Sequence, residues 1–330
     1  MSLITSMSSI HLGIASKATE GVTATQPPPS FECQIIGAGA GGPSYQAGGG
    51  GGGGQFIQGT KAISYSFSTP QTYKIQIGAR QYGKNTSSTN STILEVGLLS
   101  NGYTTPFVTA YYGGYGATYG SSGAPISTYG STGGGTYTPY NQNYAPDLRW
   151  APGFKNTPGL STLGSQVSYA NTGGLAWSGA MTTNNRYSSG GGGGAGGAGN
   201  PGVSNLQAGT GGPGILDWTG TYVCYGGGGI SSMNNRDNGV IAAVVGSGPK
   251  TQATYSGGAV PAAVLAVPSG LDNTGGGGSW GGSGGSGKFI LRYPDKYRLM
   301  YGVTGTYTYY KSGGYHYYVF TGSGTFRFLK

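Results

Sequence analysis

Few side chains in this sequence are of types that could act as acids, bases or metal ligands. The 330 residues include two histidines, His11 and His316. The acidic residues are Glu20, Glu32, Glu95, Asp147, Asp217, Asp237, Asp272 and Asp295. A glycosidase needs two carboxyl groups that face one glycosidic bond, and no sequence feature brings any two of these together. We therefore expect isolated surface carboxylates, no catalytic residue, no metal site and no cofactor, and a protein that is not an enzyme.

Two glycine motifs match phosphate-binding signatures only in part. Residues 37–42 fit G-x-G-x-x-G after a strand-like Ile35-Ile36, but a dinucleotide-binding fold requires a helix there, and Pro43 with a run of glycines follows instead. Residues 282–288 fit the start of a phosphate-binding loop. Phe289 stands where that loop needs a magnesium-binding serine or threonine. We reject both motifs.

The two cysteines, Cys33 and Cys224, lie too far apart in the sequence for a CxxC metal or redox site. A disulfide between them and a pair of buried free thiols are both compatible with this spacing, and we favour the thiols. His316 lies in a tyrosine-rich run, so we expect a strand-face residue and not a general base.

Aromatic residues are the more informative set, with 27 tyrosines and four tryptophans. Tyrosine has an apolar face, a hydroxyl group and few rotatable bonds, and recognition loops favour Tyr, Ser, Gly and Asn for this reason. The same chemistry suits sugars. The alternative, which we favour for residues 307–318, is packing in a core or across strands. Candidates for such a recognition surface are Tyr111, Tyr112, Tyr115, Tyr119, Tyr129, Trp150, Trp177 and Trp218.

Glycine makes up 72 of the residues and comes in runs at 48–54, 190–194, 226–229 and 275–278. Because glycine loses the most backbone entropy on folding, such runs are either flexible tethers or backbones packed too closely for side chains. Only 8% of residues are charged and 36% are apolar. Disorder usually requires low hydrophobicity and high net charge, so the composition favours an ordered body.

Charge and hydropathy limit the partners. The net charge is +9, but the basic residues are scattered singly, and nucleic-acid binding usually leaves a basic stripe. The first positive charge is Lys17, which argues against a secretory signal. The apolar stretches at 239–246 and 259–268 are too short to span a membrane. We expect neither nucleic-acid binding nor membrane insertion.

Short runs of alternating apolar and polar residues predict strands, while Gly, Pro and Ser make helix signals weak throughout. The predicted strands are residues 31–36, 62–67, 73–78, 92–99, 288–294, 304–310, 315–320 and 325–329. The chain divides into an N-terminal anchor arm with a proline-rich spacer at 1–30, a glycine-rich domain with tyrosine-rich insertions at 31–287, and a C-terminal strand segment at 288–330 that closes or follows it.

The order of these pieces resembles the glycine-rich domain of bacteriophage tail-fibre and virion structural proteins. A strand enters glycine- and alanine-rich sequence at 35–54, and a second strand ends in an Ile-Gly-Ala turn at 73–79. Polyglycine blocks with insertions follow, and the pattern closes with Gly-Gly-Ser-Gly and a strand ending Arg-Tyr-Pro at 284–294. The resemblance covers roughly residues 31–330.

This resemblance implies an all-β or irregular fold: short antiparallel strands with packed polyglycine II helices, almost no α-helix, and variable loops at one end. It implies a virion protein, assembled in the host cytoplasm, that acts as a tail fibre or receptor-binding adhesin. Implied partners are other virion proteins through the N-terminal arm, host surface polysaccharide or outer-membrane protein, and further copies of the chain, as in a trimer. Alternatives are a non-binding decoration protein, a tailspike depolymerase, disfavoured by the few acids, and an ice-binding polyglycine bundle, disfavoured by the irregular glycine spacing.

Overall fold

The computed structural model of the chain describes residues 26–42, 48–63, 72–81, 92–97, 106–116, 130–137, 143–144, 163–175, 187–202, 208–229, 231–232, 269–279 and 281–329. These residues form short strands joined by extended segments, and no helix occurs among them. The described chain therefore has no helix long and apolar enough to cross a membrane. The strands are β1 (Ser30–Ile36), β2 (Phe56–Ala62), β3 (Thr72–Gln76), β4 (Thr92–Gly97), β5 (Pro106–Ala110), β6 (Thr136–Tyr137), β7 (Asn143–Tyr144), β8 (Gly164–Tyr169), β9 (Tyr187–Ser188), β10 (Ile215–Leu216), β11 (Tyr222–Val223), β12 (Ser231–Ser232), β13 (Lys288–Pro294), β14 (Tyr307–Ser312), β15 (Tyr315–Phe320) and β16 (Gly324–Arg327).

Two antiparallel sheets share one hydrophobic core. The first has the order β14-β15-β13-β1-β2-β8 and the second the order β16-β3-β4-β5. Alternation along β1 places Phe31, Cys33 and Ile35 in that core. The ring of Phe31 meets the ring of Tyr73 edge-on at 5.4 Å, and Tyr73 stacks on Phe326 at 4.9 Å. The C-terminal strands are thus built into the same sheets as β1 and β3.

Several strands continue directly into glycine-rich extended segments. Gly37 follows the last residue of β1, Tyr111 follows β5, and Gly287 precedes β13. We call the packed extended segments the glycine bundle. Its segments are residues 37–42, 48–55, 111–116, 130–135, 171–175, 189–195, 197–202, 208–214, 224–229, 275–279 and 282–287.

The hydrogen bonds of segment 48–55 repeat every third residue. The N–H groups of Gly50 and Gly53 donate to residues 190 and 193, those of Gly51 and Gly54 to residues 278 and 275, and those of Gly52 and Gln55 to residues 114 and 111. The carbonyl groups of segment 48–55 accept hydrogen bonds from three more segments. The donors are the N–H groups of residues 131 and 134 in one segment, 37 and 40 in another, and 227 in the third. An extended helix with about three residues per turn and no internal hydrogen bonds requires such neighbours.

Close approach makes glycine necessary inside this bundle. A β-carbon on Gly49 would lie 1.9 Å from the carbonyl oxygen of Gly134, and one on Gly53 would lie 2.3 Å from that of Cys224. Both neighbours are backbone atoms, which cannot move aside as a flexible side chain can. The fold is therefore the predicted combination of short antiparallel strands and packed polyglycine II segments.

One predicted strand lies mostly outside the described residues. The alternation at 62–67 predicts a strand there, but β2 occupies Phe56–Ala62 and residues 64–67 lie outside the described residues. The strand begins immediately after the long glycine segment, because β2 pairs along its whole length with β1. β14 also begins three residues later than predicted, after Gly305, whose φ of 92° belongs to a turn.

Candidate functional site

The glycine bundle has two ends of different character. Segment 48–55 runs towards the sheets because it leads into β2, and segment 189–195 runs parallel to it. Segments 37–42, 171–175, 197–202 and 224–229 run the opposite way, as their hydrogen-bond registers show. Gly42, Leu175, Gly202 and Gly229 consequently lie together at the end remote from the sheets. We call this the insertion end.

Several breaks in the described chain begin at the insertion end, including residues 117–129, which follow Gly116. Residues 43–47, 176–186 and 203–207 connect segments that both stop there, and the region 233–268 follows Gly229 and the short strand β12. β12 pairs with β9, which directly precedes segment 189–195. The bundle thus anchors the flanks of these insertions in one place, against neighbours fixed by backbone hydrogen bonds.

Three candidate tyrosines lie on segment 111–116. β-Carbons on Gly113 and Gly116 would point at the carbonyls of Gly52 and Gly49, so these glycines face the interior. Tyr111, Tyr112 and Tyr115 occupy the other positions and are half-buried. Burial raises the pKa of Tyr115. These tyrosines can offer ring edges and hydroxyl groups along the side of the bundle.

Trp218 lies at the opposite end, on the hairpin of β10 and β11. Its backbone N–H donates to Oε1 of Gln34 on β1. The guanidinium of Arg292, from β13, lies 4.0 Å from the centre of its ring. The same guanidinium donates to Glu32 through Nε at 2.8 Å and forms an ion pair through Nη2 at 2.6 Å. The structure therefore places Trp218 on the outer face of the six-stranded sheet, away from the insertion end.

The remaining candidates, Tyr119, Tyr129, Trp150 and Trp177, lie outside the described residues. In the sequence, Trp177 comes two residues after Leu175, the last described residue of segment 171–175. In the sequence, Tyr119 comes three residues after Gly116, which lies at the insertion end. Tyr129 precedes Gly130, which lies on the part of the bundle nearer to the sheets.

The expectation of isolated surface carboxylates is wrong for Asp217. Its carboxylate is fully buried and pairs with the ammonium of Lys288 at the start of β13. Its Oδ1 also accepts from the N–H and hydroxyl groups of Thr219, at 2.7 and 2.6 Å, and from the N–H of Thr221 at 3.1 Å. These partners come from the turn of the β10–β11 hairpin and from β13 of the six-stranded sheet. Their spacing in the sequence does not indicate that they meet.

Three further ionisable groups, Asp272, Glu32 and His316, each have partners in the described chain. Asp272 forms an exposed pair with Arg80, and Glu32 pairs with Arg292. His316 accepts at Nδ1 from the hydroxyl of Tyr309 at 2.9 Å and donates from Nε2 to the carbonyl of Tyr297 at 3.0 Å. No group of three or more potential metal ligands occurs in the part of the chain that the structure describes.

Both cysteines are free and buried, as expected from the sequence. Burial raises the pKa of the Cys33 thiol, and the neighbouring Glu32 carboxylate adds to the effect. Burial likewise raises the pKa of the Cys224 thiol, while the Lys288 ammonium acts to lower it and the Asp217 carboxylate to raise it. Neither thiol is activated as a nucleophile.

Sequence reasoning missed one surface feature, a groove of about 380 Å³ between β2, β8 and the β10–β11 hairpin. We call it the β8 groove. It is lined by Phe56, Gln58, Val167, Tyr169, Ala195, Gly196, Ile215 and Leu216. Val167, Tyr169 and Leu216 are exposed although apolar or aromatic. The alternation of Val167 and Tyr169 along β8 is the sequence signal that could have found this strand.

Comparison with known proteins gives one match. A family model described as a glycine-rich domain matches residues 17–294, which include every segment of the glycine bundle. No curated protein and no solved structure matches the chain. The matched range ends at Pro294, the last residue of β13. This protein belongs to the glycine-rich domain family.

Proposed function

We propose that this protein is a structural component of a bacteriophage virion, a tail fibre or tail adhesin that binds the host cell surface through its insertions. The observation that carries the proposal is the gathering of the insertion flanks at one end of the glycine bundle. Binding residues are often placed on loops that a rigid scaffold positions. The sequence resemblance to bacteriophage tail-fibre and virion structural proteins is the second ground for the proposal.

The scaffold suits this task because its position is set by backbone atoms. Each flank belongs to an extended segment whose N–H and C=O groups are bonded to several neighbours. Insertions can then change in length and sequence while the bundle keeps its packing. The insertion at 176–186 contains Trp177 and the run Thr182-Thr183-Asn184-Asn185-Arg186, which are residues suited to saccharide or protein surfaces.

The polarity of the chain also fits attachment. Gln26 accepts a hydrogen bond from the N–H of Arg298, and Pro29 accepts one from Ile63, at the end of the sheets remote from the bundle. Residues 1–25 therefore join the molecule at one pole and the insertions at the other. The proposed arrangement has the pole of the N-terminus bound to another virion protein while the insertion end faces the host.

Mass spectrometry of purified virions tests the location, and binding of the purified protein to susceptible cells tests the adhesin. A variant in which a glycine-serine sequence of equal length replaces residues 177–186 should bind less, with an unchanged unfolding midpoint. Absence of binding by the intact protein, with normal adsorption of particles that carry the variant, would identify a decoration protein instead. Release of oligosaccharides from host polysaccharide would identify a depolymerase.

A further inference from the structure

The strand β8 forms one edge of the six-stranded sheet and has no strand on its outer side among the described residues. Its sequence, GSQVSY, contains no charged residue and no proline. Natural sheets usually protect exposed edges with charges, prolines or bulges, because an open edge can pair with another strand. The pairing of β8 with β2 shifts register between Gln58 and Thr60, which affects only the start of β8. Val167–Tyr169 pair regularly with β2.

The open edge lies beside the β8 groove. Val167 and Tyr169 share the outer face of the sheet with their partners Gln58 and Phe56, and Leu216 faces them from the hairpin. A strand added to β8 would place every second side chain over this groove. The lining carries no charge, so the groove favours an uncharged segment with apolar residues in alternation.

Residues 10–14 of the same chain have this pattern. Ile10, Leu12 and Ile14 alternate with His11 and Gly13, and no charged residue precedes Lys17. We infer that residues 10–14 pair as an antiparallel strand with the edge of β8 and place Ile10, Leu12 and Ile14 in the β8 groove. The sheet then gains a seventh strand beside β8, and each strand from this segment through β8 and β2 to β1 is antiparallel to the next.

The reach of the chain permits this pairing within one molecule. Ser30 pairs with Ala62 and Gly164 with Thr60, so β1 and β8 both begin at the same end of the sheet. β8 lies two strand spacings from β1, about 10 Å. Residues 15–25 can span up to about 36 Å when extended. An antiparallel segment 10–14 ends beside Gly164, where this connection starts.

Hydrogen–deuterium exchange on the full chain tests the inference. Amides of residues 10–14 should exchange roughly tenfold or more slowly than an unstructured segment. Leu216→Asp should remove this protection. Leu299→Asp is the matched control, since Leu299 is 53% exposed and Leu216 is 51% exposed, and it should leave the protection unchanged. Equal exchange in both variants, or unprotected residues 10–14 in the native chain, would overturn the pairing.

A second pair of variants tests the face of the added strand. Leu12→Asp should speed exchange along residues 167–169, whereas His11→Asp, whose side chain points away from the groove, should not. Light scattering then identifies the source of the strand. A mass that is unchanged by Leu12→Asp supports pairing within one chain. A mass that falls to a smaller species would overturn it in favour of a strand donated by a neighbouring copy.

Discussion

The carboxylate of Asp217 and the ammonium of Lys288 form a buried ion pair where the β10–β11 hairpin meets the first residue of β13. The side chain of Asp217 has no exposed surface and that of Lys288 is 6% exposed. Asp217 closes its own turn through Thr219 and Thr221, and Lys288 is fixed by the pairing of β13 with β1. The ion pair therefore fixes the hairpin that carries Trp218 to the sheet.

Removing one partner of this pair should be costly. Asp217→Asn leaves the Lys288 ammonium buried without its counter-charge, and we expect a loss of about 3–5 kcal/mol in the free energy of unfolding. Lys288→Met should lose a similar amount. The double variant should lose less than the sum of the two, because neither charge remains. Denaturant unfolding of all four proteins measures this, and strictly additive losses would show that the two groups do not interact.

The glycine bundle makes a prediction about packing. A β-carbon on Gly52 would lie 2.0 Å from the carbonyl oxygen of Ser131, whereas one on Gly164 would have Thr60 at 3.6 Å, an ordinary contact. Gly52→Ala should therefore lower the free energy of unfolding by at least about 2 kcal/mol, and Gly164→Ala should change it by no more than about 1 kcal/mol. Guanidinium denaturation compares them. Equal stability of the two variants would mean that segment 48–55 is not packed as described.

The sequence predicted strands best where side chains decide the structure. The expected bounds of β13 and β15 match the observed ones, and β1 differs by one residue. All three carry alternating large apolar residues that face one core. β8 gave a weaker signal because its serines and glycine alternate with only Val167 and Tyr169, and both of these remain exposed.

The pairing of glycine segments could not be predicted in this way. Gly50 bonds to Gly190 and Gly51 to Gly278, and neither glycine has a side chain that distinguishes one partner from another. Only the orientation of a segment can be predicted from its residue types. In segment 111–116, for example, the tyrosines occupy positions that do not face segment 48–55. The positions of the insertions at one end follow from hydrogen-bond direction, which residue types do not encode.

His316 makes the stability depend on pH. Burial lowers its pKa, Lys311 acts in the same direction, and the hydrogen bond to Tyr297 and the Asp295 carboxylate oppose them. The folded state thus favours the neutral ring, while an unfolded histidine takes up a proton near pH 6.5. The unfolded state binds more protons below that pH, so stability should fall as the pH drops from about 7.5 to 5.5.

Thermal unfolding across this pH range checks the effect against His316→Gln. The glutamine has no titrating group, so its unfolding midpoint should change less over the same interval. His11 is present in both proteins and cancels in the comparison. Parallel pH profiles for the two proteins would assign the dependence to other groups.

The buried thiols predict a chemical difference between the folded and unfolded chain. Cys33 and Cys224 are fully buried, and burial raises the pKa of each. Because the thiolate is the reactive form, neither should react with a thiol reagent in the native protein, and both should react in denaturant without added reductant. Rapid labelling of the native protein, or fewer than two reactive thiols after unfolding, would contradict the observed state of the cysteines.

The two ends of the bundle predict different roles for two tryptophans. In the sequence, Trp177 comes two residues after Leu175, which lies at the insertion end, whereas the guanidinium of Arg292 lies over the ring of Trp218 on the sheet. If host contact uses the insertion end, Trp177→Ala should reduce cell binding by tenfold or more, as loss of an aromatic anchor costs about 2 kcal/mol, and leave the unfolding midpoint unchanged. Trp218→Ala should do the reverse, because it removes the stacking partner of the guanidinium. Binding isotherms on susceptible cells, measured together with thermal unfolding, separate the two effects. A loss of binding in the Trp218 variant alone would instead assign the receptor surface to the outer face of the six-stranded sheet.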